Sequence, residues 1–293
     1  VTVTPGATEA IFCAITAVVH PGDEVIMFDP VYDCYDPAVR LAGGVPVHLT
    51  LAAPDYRIDW DAVGRAVSPR TRLIMINSPH NPSGSVIDEA DIAALVRLAE
   101  GHDLLIVADE VYEHLVFDGR SHLSVLREPR LAQRSFAISS FGKTYHVTGW
   151  KTGYCVAPPA LTLELRRVHQ FVAFVANTPV QHALADYMAA VPEHVDELAG
   201  FYQRKRDRFN AALAGSRFRL APSAGTFFQL ADYSAISDRD DRDFVTWLTQ
   251  QIGVAAIPMS VFYQTPPPGC CIRFCFCKED ATLDAAAAKL AVL

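Results

Sequence analysis

The sequence predicts an α/β protein with a largely parallel central sheet, helices on both faces and a smaller α+β part at the C-terminal end. Short apolar runs alternate with longer helical patterns up to about residue 157, an order typical of parallel strands joined by crossover helices. After that, a run of helices precedes a run of strands. Because 293 residues exceed the usual size of one hydrophobic core, we expect two domains, residues 1–192 and 193–293.

Strands are expected where short runs are apolar, and helices where apolar residues recur every three or four positions. The first expected helices end near Pro21-Gly22 and Gly43-Gly44, dipeptides that stop helices. Further helices are expected at 59–66, 88–100, 160–174, 179–190, 193–213, 242–252 and 279–292. The expected strands are 1–4, 24–28, 45–49, 72–77, 104–108, 135–139, 154–157, 217–220, 226–231, 254–257 and 271–277.

Composition excludes several classes of function. A net charge of −8 without a basic run argues against nucleic-acid binding. Neither a membrane-spanning apolar stretch nor a secretory signal is present, so we expect a cytoplasmic protein. Four of the seven cysteines lie within residues 270–277; lacking a paired C-x-x-C or nearby histidines, they are expected to be reduced thiols rather than metal ligands. The chain opens on Val1 rather than Met, and we expect that an N-terminal segment precedes it.

The stretch SSFGKTYHVTGWKTGY, residues 139–154, carries the clearest chemical signal. Lys143 follows an apolar run and sits in a small-residue turn, and Lys151 comes eight positions later. A desolvated amine in such a place can form an imine with an aldehyde and later transfer a proton. The alternative is a surface turn with two solvated lysines.

Two further segments suggest ligand contacts. Ala7 and Thr8 open a helix behind small residues, where free backbone N–H groups and the helix dipole favour an anion. Tyr32 follows a buried strand and could lie against a heteroaromatic ring, because open α/β sheets bind ligands at that edge. An ordinary capped helix and a core tyrosine are the alternatives.

Two other strands end in polar groups. In NSPHNPSG, the proline after Asn81 favours an extended backbone that presents the amide in a defined direction. Asp109 follows the apolar strand at 104–108, and a buried carboxylate there needs a cation such as a pyridinium nitrogen. Tyr112 could then reach a neighbouring ring oxygen. The alternatives are a plain structural turn and a carboxylate that caps the next turn.

Taken in order, these segments resemble the fold-type I class I/II aminotransferases, which depend on pyridoxal 5'-phosphate (PLP). The similarity is greatest to the kynurenine/glutamine transaminase branch and, within it, to the bacterial methionine aminotransferases. It spans essentially the whole chain and rests on VTVTPGATEAIF, FDPVYDCYDPA, NSPHNPSG, ADEVYEHLVF, SSFGKTYHVTGWKTGYCVAP and CIRFCF.

The resemblance implies a role for each candidate residue. Lys143 would bind the cofactor covalently, Asp109 would hold the ring nitrogen protonated, and Arg273 would bind the substrate α-carboxylate with its planar fork. A buried structural ion pair is the alternative for Arg273. Further contacts are implied with the ring oxygen by Tyr112 and Asn81, the latter also beside the substrate, with the ring face by Tyr32, and with the phosphate by Ala7, Thr8, Ser140 and Lys151.

The expected activity is a ping-pong transamination between a methionine-like or aromatic amino acid and a 2-oxo acid, in a homodimer. Phe141, Tyr145, Phe262 and Tyr263 are candidates for an apolar substrate pocket or for core packing. A PLP-dependent carbon–sulfur β-lyase and the aminotransferase-like domain of a transcription regulator are alternatives. A nicotinamide-binding enzyme is poorly supported, since no G-x-G-x-x-G follows a strand. Relatives carry an N-terminal segment that supplies a glycine and, across the dimer, a tyrosine; neither can be located here.

Overall fold

A seven-stranded, mostly parallel sheet forms the centre of the larger part of the molecule. The computed structural model describes residues 1–267 and 269–293; Pro268, in the proline-rich loop seen in the sequence at 266–269, lies outside them. The strand order is β1-β7-β6-β5-β4-β2-β3. The strands are β1 (Thr2–Thr4), β2 (Glu24–Asp29), β3 (Val45–Thr50), β4 (Thr71–Asn77), β5 (Leu105–Asp109), β6 (Ser135–Ser140) and β7 (Gly153–Val156).

The pairing confirms the largely parallel sheet. β2, β3, β4, β5 and β6 run parallel to one another, while β7 is antiparallel to β6 and to β1. A second, antiparallel sheet of three strands lies in the C-terminal part in the order β8-β10-β9. Its strands are β8 (Phe228–Asp232), β9 (Ile257–Pro258) and β10 (Cys271–Cys275).

Every helix expected from the sequence is present, with ends that differ by a few residues. In the parts of the chain that the structure describes, no helix is both long and apolar enough to cross a membrane. The helices are α1 (Ala7–Val18), α2 (Tyr35–Leu41), α3 (Trp60–Ala66), α4 (Glu89–Gly101), α5 (Pro129–Ala132), α6 (Phe141–Thr144), α7 (Pro159–Val172), α8 (Thr178–Ala190), α9 (Glu193–Leu213), α10 (Asp241–Trp247) and α11 (Asp280–Leu290). A π-helical turn, Leu248–Ile252, continues α10.

The prediction of a strand at residues 217–220 is wrong. Only Arg219 pairs with a strand, through a single antiparallel bridge to Asp232. The ladder does not extend because the side-chain amide of Gln229 donates to the Ala221 carbonyl at 2.7 Å. Pro222 follows directly and has no N–H to offer a neighbouring strand.

Alternating side chains of the central strands explain why helices cover both faces of the sheet. Along β2, Val25 and Met27 pack with residues of α1, α2 and α7. Ile26 and Phe28 point the other way and pack with residues of α3, α4 and α5. With successive residues buried on opposite faces, the strand reads as a continuous apolar run.

A third apolar core surrounds the small sheet. It contains residues of α9, α10 and α11, and it also includes Val111, Tyr112, Leu115 and Phe117 from the segment after β5. The first part of the chain therefore supplies one wall of the C-terminal core. We retain a division between residues 192 and 193, where α9 begins, as a proposal.

Gly153, the first residue of β7, lets β6 and the start of α1 approach each other closely. A Cβ added there would lie 2.6 Å from the Ser139 carbonyl oxygen and 2.9 Å from the Ala7 nitrogen. Both neighbours are backbone atoms, so the backbone must shift. We expect Gly153→Ala to lower the free energy of unfolding by about 1–3 kcal/mol, measured by urea denaturation.

The matched control is Gly149→Ala, four residues earlier. A Cβ at Gly149 meets no atom within 4 Å among the described residues, so its effect should stay within about 0.5 kcal/mol. Equal effects of the two changes would contradict the packing argument.

Candidate active site

One cavity of about 430 Å³ brings together the residues that were predicted to contact the cofactor or the substrate carboxylate. It opens at the carboxyl ends of β4, β5 and β6, where the ends of neighbouring parallel strands meet. The start of α1 and strand β10 complete its walls. The predicted residues that line it are Ala7, Thr8, Tyr32, Asn81, Asp109, Tyr112, Ser140, Lys143, Lys151 and Arg273.

Lys143 lies on α6, the single helical turn that follows β6. Its Nζ is 5.7 Å from the centre of the Phe227 ring and 5.9 Å from that of Tyr112. Burial lowers the pKa of the Lys143 ammonium, the positive charge of Lys151 lowers it further, and the negative charge of Asp109 opposes both. A lowered pKa increases the fraction of neutral amine, the form that acts as nucleophile and base.

A histidine of α9 holds this turn in place. His194 donates from Nε2 to the carbonyl oxygen of Thr144, the residue after Lys143, at 2.7 Å. The other ring nitrogen lies 3.3 Å from the Tyr187 hydroxyl. The short helix α6 is thus anchored to the beginning of the longest helix.

Asp109 ends β5 and is buried with its carboxylate facing the cavity. Burial raises the pKa of Asp109 to about 6, while hydrogen bonds from Tyr35 and from the Val111 N–H oppose the rise. The Tyr35 hydroxyl donates to Oδ2 at 2.5 Å, and the Val111 N–H to Oδ1 at 3.3 Å. Within the described residues no lysine or arginine forms an ion pair with Asp109. A positively charged ring nitrogen would supply the missing charge.

The first turn of α1 and Lys151 form a second electrostatic feature. Gly6 precedes the helix and provides no side-chain cap for its N–H groups. A Cβ on Gly6 would lie 3.7 Å from Lys151 Nζ, so the ammonium sits beside the positive end of the helix. Two positive groups converging in this way favour an anion between them, and the donor set fits a phosphate.

Arg273 reaches the cavity from β10 of the small sheet. Its guanidinium lies 3.9 Å from the centre of the Phe228 ring, and its Nη1 donates to Asn81 Oδ1 at 2.6 Å. Burial lowers the pKa of the guanidinium. The Nε atom is buried and has no hydrogen-bond partner among the described residues. A desolvated guanidinium with donors to spare suits a carboxylate.

Two polar side chains were not assigned to the site from the sequence. Asn77, at the end of β4, donates to the Asp109 carbonyl at 2.9 Å and accepts from the Asn81 N–H at 2.8 Å. Tyr35 is the donor to Asp109. The spacing of three residues between Tyr35 and Tyr32 indicated that the two rings lie side by side, and they pack edge to face at 5.7 Å. It did not indicate that Tyr35 bonds to Asp109.

The expected apolar pocket is corrected in part. Phe262 lines the cavity, whereas Phe141, Tyr145 and Tyr263 do not. The Phe141 ring packs against Tyr154 on β7 at 5.0 Å, and the Tyr145 ring stacks on His194 at 5.1 Å. Phe228 and Val261 supply apolar lining in their place.

A lysine, a buried carboxylate and a group of donors that suits an anion lie together at this edge of the sheet. Residues 1–290 match the family described as "Aminotransferase class I and II", and the chain belongs to it. Members of this family use PLP.

Several curated aminotransferases are similar to this chain over nearly all of its length. The methionine aminotransferase of Escherichia coli (strain K12) is 53% identical over 99% of this chain and 75% of its own length. A probable N-succinyldiaminopimelate aminotransferase of Mycobacterium tuberculosis is 40% identical over 100% and 77%. Kynurenine–oxoglutarate transaminase 1 of Rattus norvegicus is 33% identical over 97% and 75%. The expected similarity to a bacterial methionine aminotransferase is confirmed.

Solved structures agree with the fold. The Escherichia coli structure described as having a methionine aminotransferase function superposes with a TM-score of 0.98 at 53% identity, covering 100% of this chain and 77% of that one. A single mutant of a Thermus thermophilus aspartate aminotransferase superposes with a TM-score of 0.89 at 30% identity, covering 99% of this chain and 75% of that one. The expected fold class is confirmed.

We expect Tyr35→Phe to raise the pKa of Asp109 above about 6, because the lost hydrogen bond favoured the charged form. A carboxyl whose pKa is raised on folding binds more protons in the folded than in the unfolded state. Its protonation therefore stabilises the fold, and the free energy of unfolding falls as pH rises from about 4. In Tyr35→Phe this fall should extend to higher pH, measured by urea denaturation of cofactor-free protein.

Asp109→Asn is the control, since it removes the titrating group. The pH dependence that disappears in this variant belongs to Asp109. If Tyr35→Phe and the wild type follow the same curve between pH 4 and 8, the hydroxyl does not tune this carboxyl.

Proposed function

We propose that this chain transfers the amino group of a methionine-like or aromatic amino acid to a 2-oxo acid, with PLP bound at Lys143. The observation that carries the proposal is the convergence of the Lys143 amine, the Asp109 carboxylate and the Arg273 guanidinium on one cavity. The relatives named as methionine and kynurenine aminotransferases support the substrate class.

The same cavity offers a partner for each part of the cofactor. Lys143 would hold it covalently and Asp109 would hold the ring nitrogen. Burial raises the pKa of Tyr112 well above its ordinary value, so its neutral hydroxyl can donate to the ring oxygen. When bound, PLP supplies an electron sink that stabilises negative charge on the substrate α-carbon. The remaining proposed contacts are Asn81 on the ring oxygen, Tyr32 on the ring face, and Ala7, Thr8, Ser140 and Lys151 on the phosphate.

The protein groups perform the binding and the proton transfers. Arg273 binds the α-carboxylate through two parallel N–H donors, which fixes the direction of the α-hydrogen. Lys143 Nζ takes the α-proton as a base and returns a proton as an acid, and burial, which lowers its pKa, increases the fraction of neutral amine that can act as the base. The first product leaves before the second substrate binds at the same guanidinium, giving ping-pong kinetics.

A homodimer is part of the proposal. Four apolar side chains of α7 and the segment that follows it are more than half exposed: Leu163 at 52%, Phe171 at 87%, Phe174 at 73% and Val175 at 55%. Large apolar side chains this exposed, three of them within residues 171–175, favour a protein contact. Sedimentation as a monomer at micromolar concentration would contradict it. A cytoplasmic location stays a prediction.

The function is tested by adding amino acids one at a time to PLP-loaded protein. Methionine and aromatic amino acids should bleach the cofactor absorbance and yield the 2-oxo acid with the side chain intact, and aspartate should react more slowly. Lys143→Ala should lower multiple-turnover rates by roughly 10²-fold or more, since it removes the base and the covalent anchor. Turnover close to the wild-type rate in this variant would refute the proposal.

Cystathionine separates transamination from the alternative elimination reaction. Release of pyruvate and ammonia would identify a carbon–sulfur β-lyase, whereas an oxo acid that retains the side chain identifies a transaminase.

A change at Arg273 tests carboxylate binding. Arg273→Lys keeps the charge but loses the bidentate fork, and a hydrogen bond to a charged group contributes about 1.5–3 kcal/mol. We expect kcat/KM for methionine and for its 2-oxo acid to fall roughly tenfold to a hundredfold. Arg208→Lys, at an exposed ion pair with Asp284, is the matched control and should leave both values unchanged. An unchanged kcat/KM in Arg273→Lys would place the carboxylate elsewhere.

A further inference from the structure

A compact group of three side chains, separate from the cavity, lies between α1 and α7. Cys13 Sγ is 3.0 Å from Glu9 Oε1, and His169 Nδ1 is 2.8 Å from the same oxygen. Glu9 and Cys13 are four residues apart on α1 and so share one face of the helix. His169 reaches them from α7, and the three potential ligand atoms lie within 4.8 Å of one another.

The group is buried and one of its oxygens is left without a partner. Cys13 is fully buried, and the side chains of His169 and Glu9 are only 8% and 11% exposed. Glu9 Oε1 takes both hydrogen bonds, while Oε2 is buried and makes none with the described residues. A buried carboxylate oxygen without a donor is costly. A bound cation would satisfy it.

Thiolate, imidazole and carboxylate together are the ligand types of borderline divalent metals such as Zn²⁺. We propose that Glu9, Cys13 and His169 form a site for a divalent transition-metal ion of the zinc type. Ligand atoms around tetrahedral zinc are about 3.3–3.8 Å apart, given bond lengths of about 2.0–2.3 Å. The two distances to Glu9 Oε1, 3.0 and 2.8 Å, need to open by less than about 1 Å, and the third pair of ligand atoms lies within 4.8 Å.

The binding step balances as a proton exchange. The Cys13 S–H bond breaks, the proton passes to solvent, and the thiolate binds the metal. His169 first changes tautomer: the Nδ1 proton that it donates to Glu9 is lost to solvent and Nε2 takes up a proton from solvent. Nδ1 then binds the metal through its lone pair, and the Glu9 carboxylate supplies the third bond. Water completes a four-coordinate ion.

The position of the site indicates a structural role. None of the three residues lines the candidate active-site cavity. Glu9 directly follows Ala7 and Thr8 in the first turn of α1. A metal held by both helices would therefore fasten the proposed phosphate cradle to α7.

Metal content is measured by equilibrating PLP-loaded protein with buffered Zn²⁺, desalting it and analysing it by mass spectrometry. We expect one equivalent of zinc. Cobalt(II) in place of zinc should give the intense near-ultraviolet absorption of a thiolate–metal bond. Zinc should also raise the melting temperature, because it binds the folded state.

Variants assign the ligands. Cys13→Ala and His169→Gln should each lose the bound zinc and the thiolate–cobalt absorption, while circular dichroism confirms that they fold. Glu9→Gln, which keeps the side-chain shape, should bind zinc at least tenfold more weakly. Cys270→Ala removes a thiol outside the group and should retain full binding.

Two outcomes would overturn the proposal. One is protein that retains no zinc after equilibration. The three side chains would then only form hydrogen bonds within α1 and between α1 and α7. The other is zinc retained equally by Cys13→Ala and His169→Gln, which would place the ion at other thiols.

Discussion

Burial of charged groups without full protein partners is the constraint on which this structure depends. Lys143, Asp109 and Arg273 are each largely buried. Burial raises the pKa of Asp109 and lowers the pKa values of Lys143 and Arg273, so it favours the uncharged form of each group. Such desolvation destabilises the folded chain unless another molecule supplies the missing charge. Three apolar cores pack against the strands that carry these groups and stabilise the fold around them. Because these buried charges lack full partners in the protein, a ligand that supplies the opposite charges binds more strongly.

Uncharged side chains around the site fix the orientation of the charged groups and add no charge of their own. Tyr35 donates a hydrogen bond to the Asp109 carboxylate, and Asn77 donates one to the Asp109 backbone carbonyl. His194 fixes the turn that carries Lys143. A group held within a few tenths of an ångström can act on a substrate without reorganising, and this is the main source of electrostatic stabilisation in enzymes.

Much of the fold was predictable because buried parallel strands leave a strong local signal. Strands β2, β4 and β5 are short apolar runs, and a polar residue marks the carboxyl end of each. Order and spacing of motifs then placed Lys143, Asp109 and Arg273 in one site. Contacts between residues far apart in sequence could not be predicted. Nothing in the sequence around Tyr35 indicates a hydrogen bond to Asp109, which is 74 residues away. The same holds for His169 and Glu9, and for the Gln229 side chain that ends the pairing expected at 217–220.

Arg273 lies on the small sheet, whereas Lys143 lies on α6, directly after β6 of the central sheet. The hydrogen bond from Arg273 to Asn81 connects the small sheet to the segment that follows β4 of the central sheet. The separation between the anchor for one end of a ligand and the amine that reacts with it is therefore set by how the two sheets are spaced. A small slide of one sheet past the other would lengthen or shorten that gap without disturbing either group. Selectivity for the distance between a ligand's acid group and its reacting carbon is thus a property of the whole architecture, and substitutions far from the cavity can alter it.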